Sequence, residues 1–318
     1  MKRFLAPFGI IVLVVLLAFG TYNYVTAMDE TIVVGYLPTS LDSALFVAND
    51  LGMFKKEGIK VQLVPFRTGS ELIDAANKNQ IDVGYVGITP VTSSVDQNSS
   101  VKIVAAVNQE GSGIVVSNNS SIDNITDLQG KKILIPKKGS IQDVLLRYLL
   151  LKNNVNPASI NITEMEVPLM QNALISGDVD GYIAWEPYVT QAKIDGSGRI
   201  LMNSNSIWPD IPTCVVISTN KFMTQKPDQL KKFLKVHVEA TDYVNTHEDE
   251  TAAIVSKKLG TNVNVELEAR NNIKFIAVPT TEFENNLMKL VEVQKQLGYI
   301  NGNNTNNINS FTDLSYLP

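Results

Sequence analysis

The chain has 318 residues, carries 27 Lys and Arg against 32 Asp and Glu for a net charge of −5, and is 44% hydrophobic. Its length exceeds the usual single core and predicts two lobes. Basic residues pair only briefly, as at Lys55-Lys56, Lys131-Lys132 and Lys137-Lys138, which argues against nucleic acid as a partner. One cysteine, Cys214, excludes an internal disulfide and a cysteine zinc cluster. Two histidines, His237 and His247, leave little material for a metal site or a histidine-based catalytic pair, so neither metal nor cofactor is expected and binding is favoured over catalysis.

Met1-Lys2-Arg3 precedes an uncharged run from Phe4 to Gly20, the charged and apolar regions of a secretory signal. The run is about 17 residues, the short limit for a membrane-spanning helix, so removal as a signal peptide and retention as a membrane anchor over 1–28 both stay open. No cysteine follows it to carry a lipid. Either way the rest of the chain is expected outside the cytoplasm. The polar run from Asn301 to Asn307 predicts a flexible tail over 301–318.

After residue 30 strands and helices alternate. Thr31 to Tyr36 reads as a strand, and Leu41, Ala44, Leu45 and Ala48 follow at helical spacing. Ile59 to Phe66 and Ile81 to Val86 read as strands, each leading into a helix, with Thr68-Gly69-Ser70 and Thr89-Pro90 as the helix starts. The plan repeats: a strand Lys132 to Ile135, a helix from Gly139-Ser140 to about Lys152, a strand Ile162 to Val167, a helix opened by Pro168, and a strand Asp180 to Ala184. Asp82-Val83-Gly84-Tyr85 and Asp180-Gly181-Tyr182 are the local match between the halves. Such alternation builds an α/β protein whose sheets are mixed and mostly parallel, flanked by helices. Helices are expected after Pro227, with His237 packed in the core, and near 251–259, 266–275 and 282–297.

In sheets of this kind ligands bind at the carboxyl ends of strands, beside helix N-termini. That rule selects Thr39-Ser40-Leu41, Gly69-Ser70, Gly87-Ile88-Thr89 and Gly139-Ser140. Each offers hydroxyls or backbone N–H groups that could converge on a small anionic acceptor. Any one of them alone is an ordinary helix cap; four at corresponding strand ends indicate a cleft. Trp185-Glu186-Pro187 follows the last strand of the second unit, so the indole could cover a ligand body and Glu186 could accept from a ligand amine. Trp208, before the chain crosses back, is less well placed.

These motifs resemble a family. Gly35-Tyr36, Ala44, Ala48 and Leu51-Gly52-Met53-Phe54-Lys55-Lys56-Glu57-Gly58, then Thr68-Gly69-Ser70, Ile81-Asp82-Val83-Gly84, Ile125 to Lys132, Gly139-Ser140 and Trp185-Glu186-Pro187 stand in the order seen in the taurine, aliphatic sulfonate and nitrate binding proteins of ABC importers. The resemblance covers roughly Thr31 to Leu297. It implies a two-lobed periplasmic-binding-protein fold of type II: lobe one from 29–111 and 212–300, lobe two from 112–211. The two chain crossings, the second at Ile211-Pro212-Thr213, would be the hinge, with Thr213 also a candidate ligand contact. It implies ligand contact by Ser40, Ser70, Thr89 and Ser140 with Trp185 as a wall, a monomer, and delivery to a membrane permease driven by an ATPase. Arg67, Arg147, Arg199 and Arg270 fall in no matching motif, so a less charged solute, a thiamine-type pyrimidine precursor or another small organic molecule, stays open beside a sulfonate, taurine or nitrate. The same fold resembles some thiamine- and menaquinone-pathway enzymes; against these stand the export signal and the lack of a histidine and cysteine cluster.

Overall fold

A computed structural model describes residues 31–302, 304–305 and 307–318. The apolar run expected to act as signal or anchor lies outside the described residues, and among these no helix is long and apolar enough to cross a membrane. The strands, in chain order, are β1 (Thr31–Tyr36), β2 (Lys60–Pro65), β3 (Val83–Gly87), β4 (Val101–Glu110), β5 (Ser112–Ser117), β6 (Lys132–Ile135), β7 (Asn161–Glu164), β8 (Gly181–Trp185), β9 (Gly198–Asn203), β10 (Pro212–Thr219) and β11 (Ile273–Phe275).

They form two sheets, ordered β11-β4-β10-β3-β1-β2 and β7-β6-β8-β5-β9. The expected parallel units are present: β1 pairs with β2 and β3, and β6 with β7 and β8, all parallel. The antiparallel share is larger than the alternation suggested, because β10 pairs with β3 and β4, β11 with β4, and β5 with β8 and β9. The matching Asp motifs do the same work in both sheets. Asp82 Oδ2 accepts from the Val33 N–H of β1 at 2.8 Å, and Asp180 Oδ2 accepts from the Lys132 N–H of β6 at 2.8 Å.

Strand alternation divides the core into three layers. In the second sheet Ile133, Ile135, Ile114, Val116 and Ile183 face a central cluster, whereas Leu134, Val115, Tyr182 and Ala184 face an outer one. In the first sheet Val215 and Ile217 join the same central cluster while Cys214 and Val216 face the other side, against the Pro227–Thr246 helix. The central cluster also takes in Ile141 and Leu145 from the Ile141–Lys152 helix and Phe283 and Leu287 from the Thr281–Gln296 helix. The apolar layer between the two sheets is therefore continuous.

Three expectations are corrected. The helix over 266–275 stops early: Val263–Ala269 is helical, but Ile273–Phe275 is β11, because Ile273 and Phe275 are buried with Lys274 exposed between them and the segment finds the open edge of β4. The helix of residues Ile88–Asp96 is capped by Gly87, which places Thr89 and Pro90 inside its first turn. The tail is packed over its described residues rather than loose: Phe311 is fully buried, its carbonyl accepts from the Ile103 N–H at 2.8 Å, and Lys102 Nζ donates to Asn309 and Ser310 carbonyls at 2.9 and 2.7 Å. One aromatic side chain with a site in the central cluster outweighs the polar composition around it.

Candidate functional site: a cavity between the two sheets

The end of β1 begins the site. Thr39 has an extended backbone (φ −152°) and caps the short 3-10 turn Ser40–Asp42, its Oγ1 accepting from the Leu41 N–H at 3.2 Å. The turn folds Asp42 back, so that its Oδ2 accepts from the Leu37 N–H at 3.3 Å. The Gly69–Asn77 helix is capped by Thr68 and presents Gly69, and β3 brings Tyr85, Val86 and Gly87. From the second sheet, Ser140 caps the Ile141–Lys152 helix by accepting from the Asp143 N–H at 3.3 Å, and Trp185 stands at the end of β8. The start of β10 contributes Thr213 and Cys214.

These residues, with Leu37, Pro90, Ile141 and Gln142, line one cavity of about 440 Å³ including the space at its mouth. Of the residues selected from sequence, Thr39, Leu41, Gly69, Gly87, Ser140, Trp185 and Thr213 are brought together there. The others are placed elsewhere. Ser40 turns away, its Oγ donating to Glu266 at 2.6 Å. Ser70 and Gly139 face a separate groove between the two units that also holds Tyr299 and Lys138. Ile88 is part of the central core and Thr89 is fully buried, its carbonyl accepting from Gln294 at 3.2 Å.

Glu186 is also fully buried, but as a latch rather than a lining group. Its Oε2 accepts from the Thr190 N–H and its Oε1 from Thr190 Oγ1, both at 3.0 Å, and Oε1 also from Asn272 Nδ2 at 2.7 Å. Its carbonyl accepts from Thr39 Oγ1 at 2.7 Å and from the Ser40 N–H at 3.2 Å. Burial pushes the Glu186 carboxyl up to about 7, partly offset by its hydrogen bonds.

The residues that sequence reasoning missed are chiefly Asp42, Tyr85 and Gln142. Asp42 and Gln142 each lie two positions beyond a selected hydroxyl, Ser40 and Ser140, so the turn geometry that was sought carried the signal. A search for hydroxyls to hold an anion passes over a carboxylate. Tyr85 looks like core from its strand, and its hydroxyl is indeed engaged, 2.9 Å from His237 Nδ1, while His237 Nε2 meets the Ala106 carbonyl at 2.7 Å. Burial drives His237 down to about 4, so the ring is neutral, as expected of a packed histidine. Burial likewise holds the Cys214 thiol well above its ordinary range, which makes it a poor nucleophile.

The wall is largely apolar, with polar side chains at a few points, Thr39, Asp42, Ser140, Gln142 and Thr213. Among the described residues no lysine, arginine or histidine lines it, and Asp42 is its single carboxylate. The start of the Ile141–Lys152 helix supplies N–H groups without intrahelical acceptors and the positive end of its dipole. The arrangement can bind a small solute with an apolar body; it holds no nucleophile–base pair.

The profile of the NMT1-like family matches residues 26–260. A putative aliphatic sulfonates-binding protein of Bacillus subtilis is 30% identical over 244 residues, 73% of each chain. The taurine-binding periplasmic protein of Escherichia coli is 24% identical over 64% of this chain and 63% of its own. The ligand-binding component of an ABC-type import system from Staphylococcus aureus superposes with a TM-score of 0.81 at 20% identity, covering 90% of this chain and 97% of that one, which shows the two-lobed binding-protein fold. The chain belongs to the NMT1-like family.

Proposed function

We propose that this protein is the extracytoplasmic solute-binding component of an ABC importer, closing around a small solute and delivering it to the permease and its ATPase. The observation that carries the reading is the cavity itself: it is walled by both sheets and bounded by contacts that join them through Glu186. The family relatives named for aliphatic sulfonates and taurine point to a solute with a sulfonate-like end. In this chain the N-terminus of the Ile141–Lys152 helix is the group suited to that end, with Trp185 covering the body.

Lobe one would comprise 29–111 and 212–300, and lobe two 112–211. The crossing at 110–111 uses two left-handed residues, Glu110 (φ 65°) and Gly111 (φ 80°), and the other follows Asp210 (φ 57°). We assign these crossings as the hinge. Closure is favoured because solute meets both lobes only when they are shut. Residues 1–28 would export the chain or anchor it at the outer face of the membrane, with the monomer as the working unit. Binding rather than catalysis is supported by the neutral His237 outside the cavity and the protonated Cys214 thiol at its wall.

Calorimetry combined with small-angle scattering tests this directly. A decrease in radius of gyration on adding an alkyl sulfonate, taurine, nitrate or a pyrimidine solute, with saturable heat, is the expected result. Absence of both across these solutes would sink the proposal.

A further inference from the structure

Buried carboxylates in this protein are well partnered. Asp143, fully buried, accepts from the Gly139 N–H at 2.8 Å, pairs with Arg147 at 2.7 Å and receives the Tyr299 hydroxyl. Asp96 takes the Asn301 and Gly302 N–H groups at 2.8 and 3.0 Å. Glu110 takes the Asp210 N–H at 3.0 Å and pairs with Lys274 at 3.3 Å. Glu266 receives Ser40 and Thr261, and Glu186 has three donors.

Asp42 is the exception. It is 1% exposed, its Oδ2 has a single 3.3 Å contact to Leu37, and its Oδ1 has no partner. Yet this is the carboxylate that lines the cavity, where among the described residues no cationic side chain accompanies it. Its hydroxyl neighbour Tyr85 is engaged by His237 and donates nothing to it. On the facing wall the Trp185 Nε1–H is likewise buried without an acceptor. Two residues that line the cavity thus carry one unanswered acceptor and one unanswered donor, and a buried polar atom left unmatched is a cost that a bound group can relieve.

We infer that Asp42 is the recognition group of this cavity and that its solute carries an ammonium or amino group donating to Asp42 Oδ1. The inference rests on the solute-binding reading above and specifies its ligand. A purely anionic solute would meet the same carboxylate with no counter-charge on the wall. An amine-bearing solute turns that liability into its strongest contact, while its other end can accept from Trp185 Nε1–H or from the helix start at Ile141-Gln142. Burial also holds the Asp42 carboxyl well above the ordinary carboxylate range, an effect that an adjacent positive charge opposes.

The test uses the full chain and matched solutes that differ only in the amine: taurine against ethanesulfonate, 3-aminopropanesulfonate against propanesulfonate, and benzylamine against benzyl alcohol, each by calorimetry. The expected result is an amine preference of at least about tenfold in one pair or more, falling toward unity in Asp42→Asn, while the amine-free partner binds the variant as well or better. The near-isosteric amide should also fold, melting no lower than the parent because it removes an unmatched buried carboxylate. An amine-free solute that binds as tightly as its partner in every pair overturns the inference, as does a preference that survives in folded Asp42→Asn. Failure of every solute to bind or to compact the protein overturns instead the solute-binding reading beneath it.

Discussion

Two residues far apart in the chain show how burial alone sets their chemistry. His237 sits between Tyr85 and the Ala106 carbonyl with its ring held neutral down to about pH 4, against an ordinary value of 6.5. The native state therefore binds fewer protons than the unfolded state between those values. Its contribution is fully present above pH 6.5 and is lost as pH falls through about 4. Glu186 has the opposite sign: raised from 4.5 to about 7, it contributes most below pH 4.5 and loses that contribution as pH rises through 7. Each window is worth on the order of 3 kcal/mol. Urea unfolding at pH 4.5 and 6.5 should show the advantage of the parent over His237→Gln growing with pH, and its advantage over Glu186→Gln shrinking. At the cavity, Trp185→Ala should weaken solute binding by roughly 2 kcal/mol, about thirtyfold, as expected for a central aromatic anchor. Calorimetry on a bound solute reads this directly.

Elements that look marginal in sequence gain their order from their neighbours. The three-residue β11 is stable because β4 offers a free edge, and the polar C-terminal segment is held because Phe311 enters the central cluster beside Ile103. Phe311→Ala should lower unfolding stability by about 3–5 kcal/mol, the usual range for a buried aromatic, with denaturant midpoint as the readout. At the crossing after β4, Gly111 has φ 80°, and a Cβ there would lie 2.4 Å from Leu41 Cδ2. Gly111→Ala is therefore both strained and crowded against the turn that carries Asp42. It should cost roughly 1–3 kcal/mol in stability, and it should disturb solute affinity as well, unlike Phe311→Ala.

For the whole molecule, the contacts between its two units sit around the cavity. Asn272 reaches across to Glu186, Arg67 pairs with Glu166 at 3.3 Å, and Tyr299 binds Asp143. The Arg67 pair is largely exposed and contributes little; the Asn272 bond to a buried carboxylate matters more. Asn272→Ala touches no cavity residue, yet it should weaken solute affinity by about five- to thirtyfold, because about 1–2 kcal/mol is lost from the closed state alone. Small-angle scattering of the ligand-free variant should show a larger mean radius than the parent.

Much of this protein was legible in its sequence. Strands β1, β3, β6 and β8 follow from local alternation and punctuation, and the Asp-Gly-Tyr match disclosed that the parallel unit occurs twice. Helix starts expected near Thr39, Gly69, Thr89 and Ser140 pointed to the strand ends that line the cavity, because cap chemistry is local. What only the tertiary structure decided was which atom at each end faces the cavity. Ser40 and Glu186 look like ligand groups, yet long-range partners claim them: Glu266 lies 226 positions from Ser40, and Asn272 lies 86 positions from Glu186. Asp42 passes in sequence for an ordinary acid in a turn. Its significance comes from being buried among residues of both sheets that give its second oxygen nothing to bind, a property of packing that no local pattern encodes.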